Sequence, residues 1–202
     1  MSMQPYRAGG SPYRATPPKP KARRFDEGVK GMCAIVSGNG TEVTGKRMHE
    51  GPYHGVNKWM ATLTNPIKRG TGVQRMAFRL TNKNASDCVA VGMCLVEKAG
   101  GVDKLNCPVG WLMGTVGLRA DGSCQQHGDV QISPPNIPGF KENDLVSASV
   151  DTDATGELEL VVSVNDEKRA TFKVDEGYRF TVSGDGGLHT FVIDDAATAA
   201  GA

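Results

Sequence analysis

From residue 25 onward the apolar positions fall in short runs broken by glycine, asparagine and proline, a spacing that predicts strands and turns. Residues 32–37 form one run, closed by Gly38-Asn39-Gly40, and residues 59–63 form another, stopped by Asn65-Pro66. Residues 73–80 alternate, with Met76, Phe78 and Leu80 on one face and Arg75, Ala77 and Arg79 on the other. That is the period of a strand with one face in water. Residues 88–96 are apolar on both faces, and Gly92 in the middle predicts a bulge or a close backbone approach. Residues 145–150, residues 157–164 and the alternating Ala170, Phe172 and Val174 follow, separated by a turn at 151–156 and by Asn165-Asp166. Polar tips between such runs predict two consecutive hairpins in an antiparallel meander. Residues 180–182 and 190–193 close the series, and no long stretch shows a helical period. The expected fold class is all-β, a two-sheet antiparallel β-sandwich.

The first 24 residues behave differently. Pro5, Pro12, Pro17, Pro18 and Pro20, with Gly9 and Gly10, favour neither helix nor sheet. The chain therefore divides into a disordered, basic, proline-rich arm (1–24), a sandwich domain (25–193) and a short, alanine-rich, flexible tail (194–202). The arm carries Arg7, Arg14, Lys19, Lys21, Arg23 and Arg24 and no acid, which leaves 17 basic against 22 acidic residues in the remainder. Net charges of opposite sign mean that the two parts meet their surroundings differently. Pro5-Tyr6-Arg7-Ala8 recurs as Pro12-Tyr13-Arg14-Ala15, a pair of short linear contacts. The arm reads as a solvated leader, as an electrostatic foot for RNA, or as a polyproline docking peptide. A mitochondrial presequence fits the arginine-rich, acid-free composition, but the prolines oppose the amphipathic helix it needs.

Three stretches carry a resemblance. They are Val89-Ala90-Val91-Gly92-Met93, the segment 110–122 with Trp111, and Asn143-Asp144-Leu145-Val146 continued by Val150-Asp151, Gly156-Glu157-Leu158 and Asn165-Asp166. Over residues 28–193 the chain resembles the SPRY (B30.2-like) domain, a bent sandwich of the concanavalin-like jelly-roll class. It departs from that pattern where Asn143 stands for glycine, where Ser147 stands for glycine, and where Asp166 replaces the glycine of a hairpin Asn-Gly. These are turn and core positions, so they speak for fold before function. The resemblance implies that one rim of the sandwich recognises a peptide or a protein surface.

The residues do not assemble a catalytic pattern. His49, His54, His127 and His189 are dispersed and no G-x-S-x-G elbow occurs. The glycine-rich segments at 38–40 and 183–187 precede strand-like residues rather than the helix a phosphate loop requires. Glu157 and Glu159 alternate with Leu158 and Leu160, as on a solvated face, and Asp151 and Asp153 sit in a turn. No enzymatic activity, cofactor or metal site is expected. Cys33, Cys88, Cys94, Cys107 and Cys124 lack a C-x-x-C pair and imply a reducing compartment, and Cys88 and Cys94, each in an apolar run, read as small buried hydrophobes. The expected location is the cytoplasm, with nucleus, mitochondrion and virion left open. No apolar run reaches the roughly 20 residues that span a bilayer, and no membrane partner is expected.

Binding is the positive expectation. Loops at 49–59, 119–128 and 133–140 are richer in aromatic, charged and proline residues than turns require. The candidate partner-binding residues are Tyr53, His54, Trp59, Arg119, Asp121 and His127. Trp59 and Trp111 each open an apolar run, so both also read as core. The chain is expected to be a non-catalytic protein-interaction module that binds a protein or peptide through rim loops, with the arm as tether or second contact. The alternative is a nucleic-acid-associated structural subunit, a viral coat or ribonucleoprotein component, whose contacts are Arg7, Arg14, Lys19, Lys21, Arg23 and Arg24. A glycan-binding lectin is a third reading, through stacking at Tyr53 and Trp59. The sequence leaves the oligomeric state open.

Overall fold

Alternation along a strand sends every second side chain to one face, so two such sheets hide their apolar faces only against each other. The structure, a computed structural model of the chain, describes residues 23–46, 58–81, 89–127, 130–131, 137–185 and 189–199. Its strands are β1 (Phe25–Lys30), β2 (Ala34–Ser37), β3 (Glu42–Gly45), β4 (Lys58–Leu63), β5 (Val73–Thr81), β6 (Ala90–Cys94) and β7 (Thr115–Arg119). They continue with β8 (Cys124–Gln126), β9 (Val130–Gln131), β10 (Leu145–Asp151), β11 (Leu158–Val164), β12 (Glu167–Val174), β13 (Arg179–Asp185) and β14 (Thr190–Ile193). A short helix, α1 (Asp195–Ala199), follows. Two seven-stranded sheets result, ordered β1-β4-β13-β6-β7-β8-β9 and β12-β11-β10-β5-β14-β3-β2. Each strand pair is antiparallel, so the expected all-β sandwich is what the chain forms.

The inner faces meet in one large core. Met76, Phe78 and Leu80 of β5 point into it, as their period requires, with Val146, Ala148 and Val150 of β10 and Leu158, Leu160, Val162 and Val164 of β11. The other sheet contributes Trp59, Ala61, Leu63, Val91, Met93, Val116, Leu118, Phe180 and Val182. Phe78 ties the layers together, stacked on Phe25 at 6.0 Å and set edge-on to Phe191 at 6.5 Å.

The β10-β11-β12 meander is pinned by polar residues. Asn165 and Asp166 have φ of 50° and 64°, the doubly left-handed geometry of a tight two-residue hairpin. The Asn165 amide nitrogen donates to an Asp144 carboxylate oxygen at 2.9 Å, and the Leu145 N–H donates to the Asn165 side-chain oxygen at 3.0 Å. Asp144 also accepts from the Lys141 N–H at 2.8 Å. Asn143 has φ 69°. Two of the departures from the SPRY pattern, Asn143 and Asp166, thus replace glycine at left-handed positions with the residue types that tolerate them best.

Sheet faces explain where alternation failed. The outer face of the first sheet is not open to water, because residues 95–114 fold back over it. Met60, Ala90, Cys94, Ala99, Leu105 and Val109 form a second buried cluster there. That is why β6 is apolar on both sides. Gly92 makes no bulge: the β6–β7 register runs unbroken and pairs it with Gly117. A Cβ on Gly117 would lie 2.6 Å from Val109 Cγ1, so these paired glycines form the floor on which the covering segment rests.

Three expectations change. Ala77, expected on a wetted face, is buried beneath the end of the chain, where the Thr198 hydroxyl accepts its N–H at 3.1 Å. The tail is therefore not wholly flexible, since residues 195–199 are helical and Asp194 accepts the Ala197 N–H at 2.9 Å. The arm also ends earlier than residue 24. Arg23 lies 5.0 Å over the Phe180 ring and bonds Gln74, while Arg24 pairs with Asp195 at 3.3 Å.

Candidate functional site

One end of the sandwich gathers the chain segments singled out from sequence. There β3 ends at Gly45, β4 begins at Lys58, β6 begins at Ala90 and β7 ends at Arg119. The turn after β7 is closely built. The Asp121 carboxylate accepts the Ser123 N–H at 2.8 Å and its hydroxyl at 2.7 Å. Partial burial pushes the Asp121 carboxyl up, but the Ser123 bonds and the Arg119 charge outweigh it and hold it below its ordinary value. Residues 137–140 are fastened alongside: Phe140 N–H donates to Ala120 O at 3.2 Å. A Cβ on Gly139 would stand 1.9 Å from that carbonyl, so only glycine permits the approach.

On the outer face of the first sheet, residues 107–114 raise two apolar side chains into solvent. Trp111 is 41% exposed and Met113 63%. The loop beneath them is fixed by Thr115, which is fully buried. Its hydroxyl accepts the Gly110 N–H at 2.9 Å and the Leu112 N–H at 3.3 Å, and donates to Leu112 O at 2.7 Å. Val109 N–H donates to Ser183 Oγ at 3.1 Å, and Leu112 packs on the second cluster. The Lys58 ammonium stands 4.0 Å over the Trp111 ring centroid and the Arg119 guanidinium carbon 5.9 Å from it. Cations over an indole face are held by the ring quadrupole. Two strands far apart in sequence thus orient the exposed ring.

The residues proposed from sequence divide as follows. Asp121 is exposed at the rim. Arg119 reaches the rim but is only 6% exposed, and it serves the ring and the turn rather than the surface. Trp59 is a correction: it is fully buried and packs edge-on to Phe191 at 6.5 Å. His127 is a correction of place. Strand β8 separates it from the 119–123 turn and carries it to the opposite end. There it takes φ 56° and lines a cleft of about 490 Å³ with Arg69, Lys98, Glu157, Lys173 and Tyr178. The Lys98–Asp175 and Lys173–Glu157 pairs neutralise the cleft's lysines. Tyr53 and His54 lie outside the described residues, as do Arg7, Arg14, Lys19 and Lys21 of the arm. Arg23 and Arg24, expected as nucleic-acid contacts, are engaged by the domain itself, and burial lowers the Arg23 pKa.

Trp111, Met113 and Lys58 were not singled out. Trp111 opens the run Trp111-Leu112-Met113 between Gly110 and Gly114, and such a run reads as core. The flanking glycines, both left-handed at φ 90° and 71°, were the available sign of a loop. Of the two cysteines expected in the core, Cys94 is buried and its thiol pushed up to about 12, while Cys88 lies outside the described residues; burial likewise pushes the Cys124 thiol up to about 11, and Cys107 is half-buried. Glu159 is exposed beside its cross-strand neighbour Lys173; the Asp151 carboxylate accepts the Asp153 N–H within the turn, and the Asp153 carboxylate accepts the Gly72 N–H from the neighbouring segment.

No protein-family model matches the sequence, and no curated protein does. Solved structures do. A human SPRY domain superposes with a TM-score of 0.60 at 12% identity, covering 80% of this chain and 94% of that one. The SPRY domain of human HERC1 gives 0.59 at 15%, covering 84% and 96%. The TRIM65 PSpry domain gives 0.57 at 18%, covering 85% and 90%. Likeness at this identity is a likeness of fold. With two antiparallel seven-stranded sheets and the Asp144–Asn165 bond at the motif positions, the chain has a SPRY-like fold.

Proposed function

We propose that this chain is a protein-interaction module that binds a protein or peptide at the rim carrying the 119–123 turn, with the arm as tether or second contact. The observation that carries the reading is the exposed Trp111, on a hydrogen-bonded, pre-organised loop and held by Lys58 and Arg119 of that rim. Exposed aromatics held rigid are the usual anchors of interfaces, because little entropy is lost on docking. Among the described residues of the rim, no set has the geometry of a nucleophile with its base.

The test is affinity capture with the full-length chain, followed by mass spectrometry. A Trp111→Ala, Met113→Ala double variant with unchanged melting temperature is expected to lose the captured partner. Capture that survives in this variant and in Asp121→Ala refutes the reading. The nucleic-acid alternative keeps a separate test, salt titration of single-stranded RNA binding by the full chain and by residues 25–202. With Arg23 and Arg24 engaged by the domain, it rests on Arg7, Arg14, Lys19 and Lys21, few cations for holding a polyanion.

A further inference from the structure

Resting on the interaction reading, we infer that the Trp111 knuckle receives a short acidic peptide segment. A carboxylate of that segment meets the Lys58 ammonium, and an adjacent apolar side chain lies on Trp111 and Met113. Lys58 is the reason for the acid. Its ammonium is parked on the indole at 4.0 Å, and among the described side chains no carboxylate lies within ion-pair distance of it. Eight other cations, Arg24, Arg69, Arg75, Arg79, Lys98, Arg169, Lys173 and Arg179, each meet an Asp or Glu; what sets Lys58 apart is its seat on an exposed indole. A π face holds a cation in place while leaving its N–H groups on the far side able to donate. Arg119, buried at the ring's other neighbour position, adds a fixed positive field.

Apolar complementarity comes from the same loop. Met113 is the most exposed large hydrophobic residue among those described, and methionine adapts to varied apolar partners. An acidic peptide suits this corner better than a nucleic-acid strand does. Residues outside the arm carry 22 acidic against 17 basic residues, and such a domain repels a long polyanion while a single carboxylate feels mainly the nearest cation.

A displayed library of random peptides, selected on the immobilised full-length chain, tests this. The expected winners carry Asp or Glu beside a large apolar residue. An enriched peptide, labelled and followed by fluorescence anisotropy, should lose about 30-fold or more in affinity against Trp111→Ala. It should lose about threefold to fivefold against Lys58→Met, which keeps the stem on the ring, and little against Lys58→Arg. In the free protein iodide should quench Trp111 emission more strongly than caesium does. Neutral or basic winners, equal binding to Lys58→Met, or no enrichment at all overturn the inference. Winners that depend on Asp121 but not on Trp111 overturn it while leaving the rim reading intact. Displacement of the peptide by polyuridylate RNA, with the same Trp111 and Lys58 dependence, assigns the knuckle to nucleic acid and overturns it as well.

Discussion

Replacing Thr115 by valine keeps the shape of a fully buried side chain and removes the hydroxyl that ties the Trp111 loop to β7. The loss is specific. The N–H groups of Gly110 and Leu112, now bonded at 2.9 and 3.3 Å, lose their acceptor, and Leu112 O loses a donor at 2.7 Å. A buried donor left unsatisfied costs about 1–3 kcal/mol. Gly110 is buried and Leu112 half-buried, so the first weighs fully and the second in part, for about 2–4 kcal/mol together. In a chain of this size each kcal/mol moves the midpoint by about 2–4 °C, which gives a fall of roughly 5–15 °C. The thermal melt reads the first effect and acrylamide quenching reads the second. The chain has two tryptophans, of which Trp59 is fully buried, so added quenching reports Trp111 leaving its seat. A T115V protein that melts within about 1 °C of the parent refutes the energetic argument. A destabilised protein with unchanged quenching refutes the claim that this hydroxyl positions the ring.

Other outcomes follow from the same structure. Trp59→Ala is expected to lose about 3–5 kcal/mol by urea unfolding, as a cavity at the Phe191 contact; parent-like stability rules out its core role. Gly117→Ala puts a Cβ 2.6 Å from Val109 Cγ1 and 2.8 Å from Val91 O, and should cost about 1–3 kcal/mol by overpacking. Faster amide exchange should then appear at residues 107–112, and unaltered exchange there contradicts the glycine-floor argument. The Asp194 carboxyl is held below its ordinary value by the Ala197 N–H, with help from Arg79. A depressed carboxylate stabilises fully above its unfolded value, near 3.9, and its contribution disappears as pH falls through the lower folded value. Exchange protection of α1 should therefore drop below about pH 4 in the parent and be pH-independent in Asp194→Asn; equal pH profiles would remove Asp194 as the cause.

The sandwich was legible because its strands lie where one face is wet and the other dry. β10, β11 and β12 alternate cleanly, and the hairpin at Asn165-Asp166 declares its backbone through residue type. β1 was not legible: Asp26, Glu27, Gly28 and Lys30 give it little apolar signal, and it is a sheet edge joined through an irregular register to β4. The site was legible only as a region. The turn at Asp121 was found, but the two tryptophans exchanged roles. Both open apolar runs, and the factor that separates them is long-range. Trp59 alternates inward on a central strand, whereas Trp111 rides on a segment whose other apolar residues, Val109 and Leu112, take the buried positions over the sheet. Nothing local encodes that division. His127 was misplaced because a three-residue strand, β8, is too short to show a period.

The Arg24–Asp195 contact carries a consequence for how the domain is mounted. Arg24 precedes β1 and Asp195 follows β14, so the first and last described segments leave the sandwich side by side, next to Thr64 and Gly40. By strand direction that corner is opposite the end where Lys58, Ala90 and Arg119 lie. A group joined directly at Arg23 or Ala199 would therefore sit at the base of the fold, away from the rim that carries the 119–123 turn.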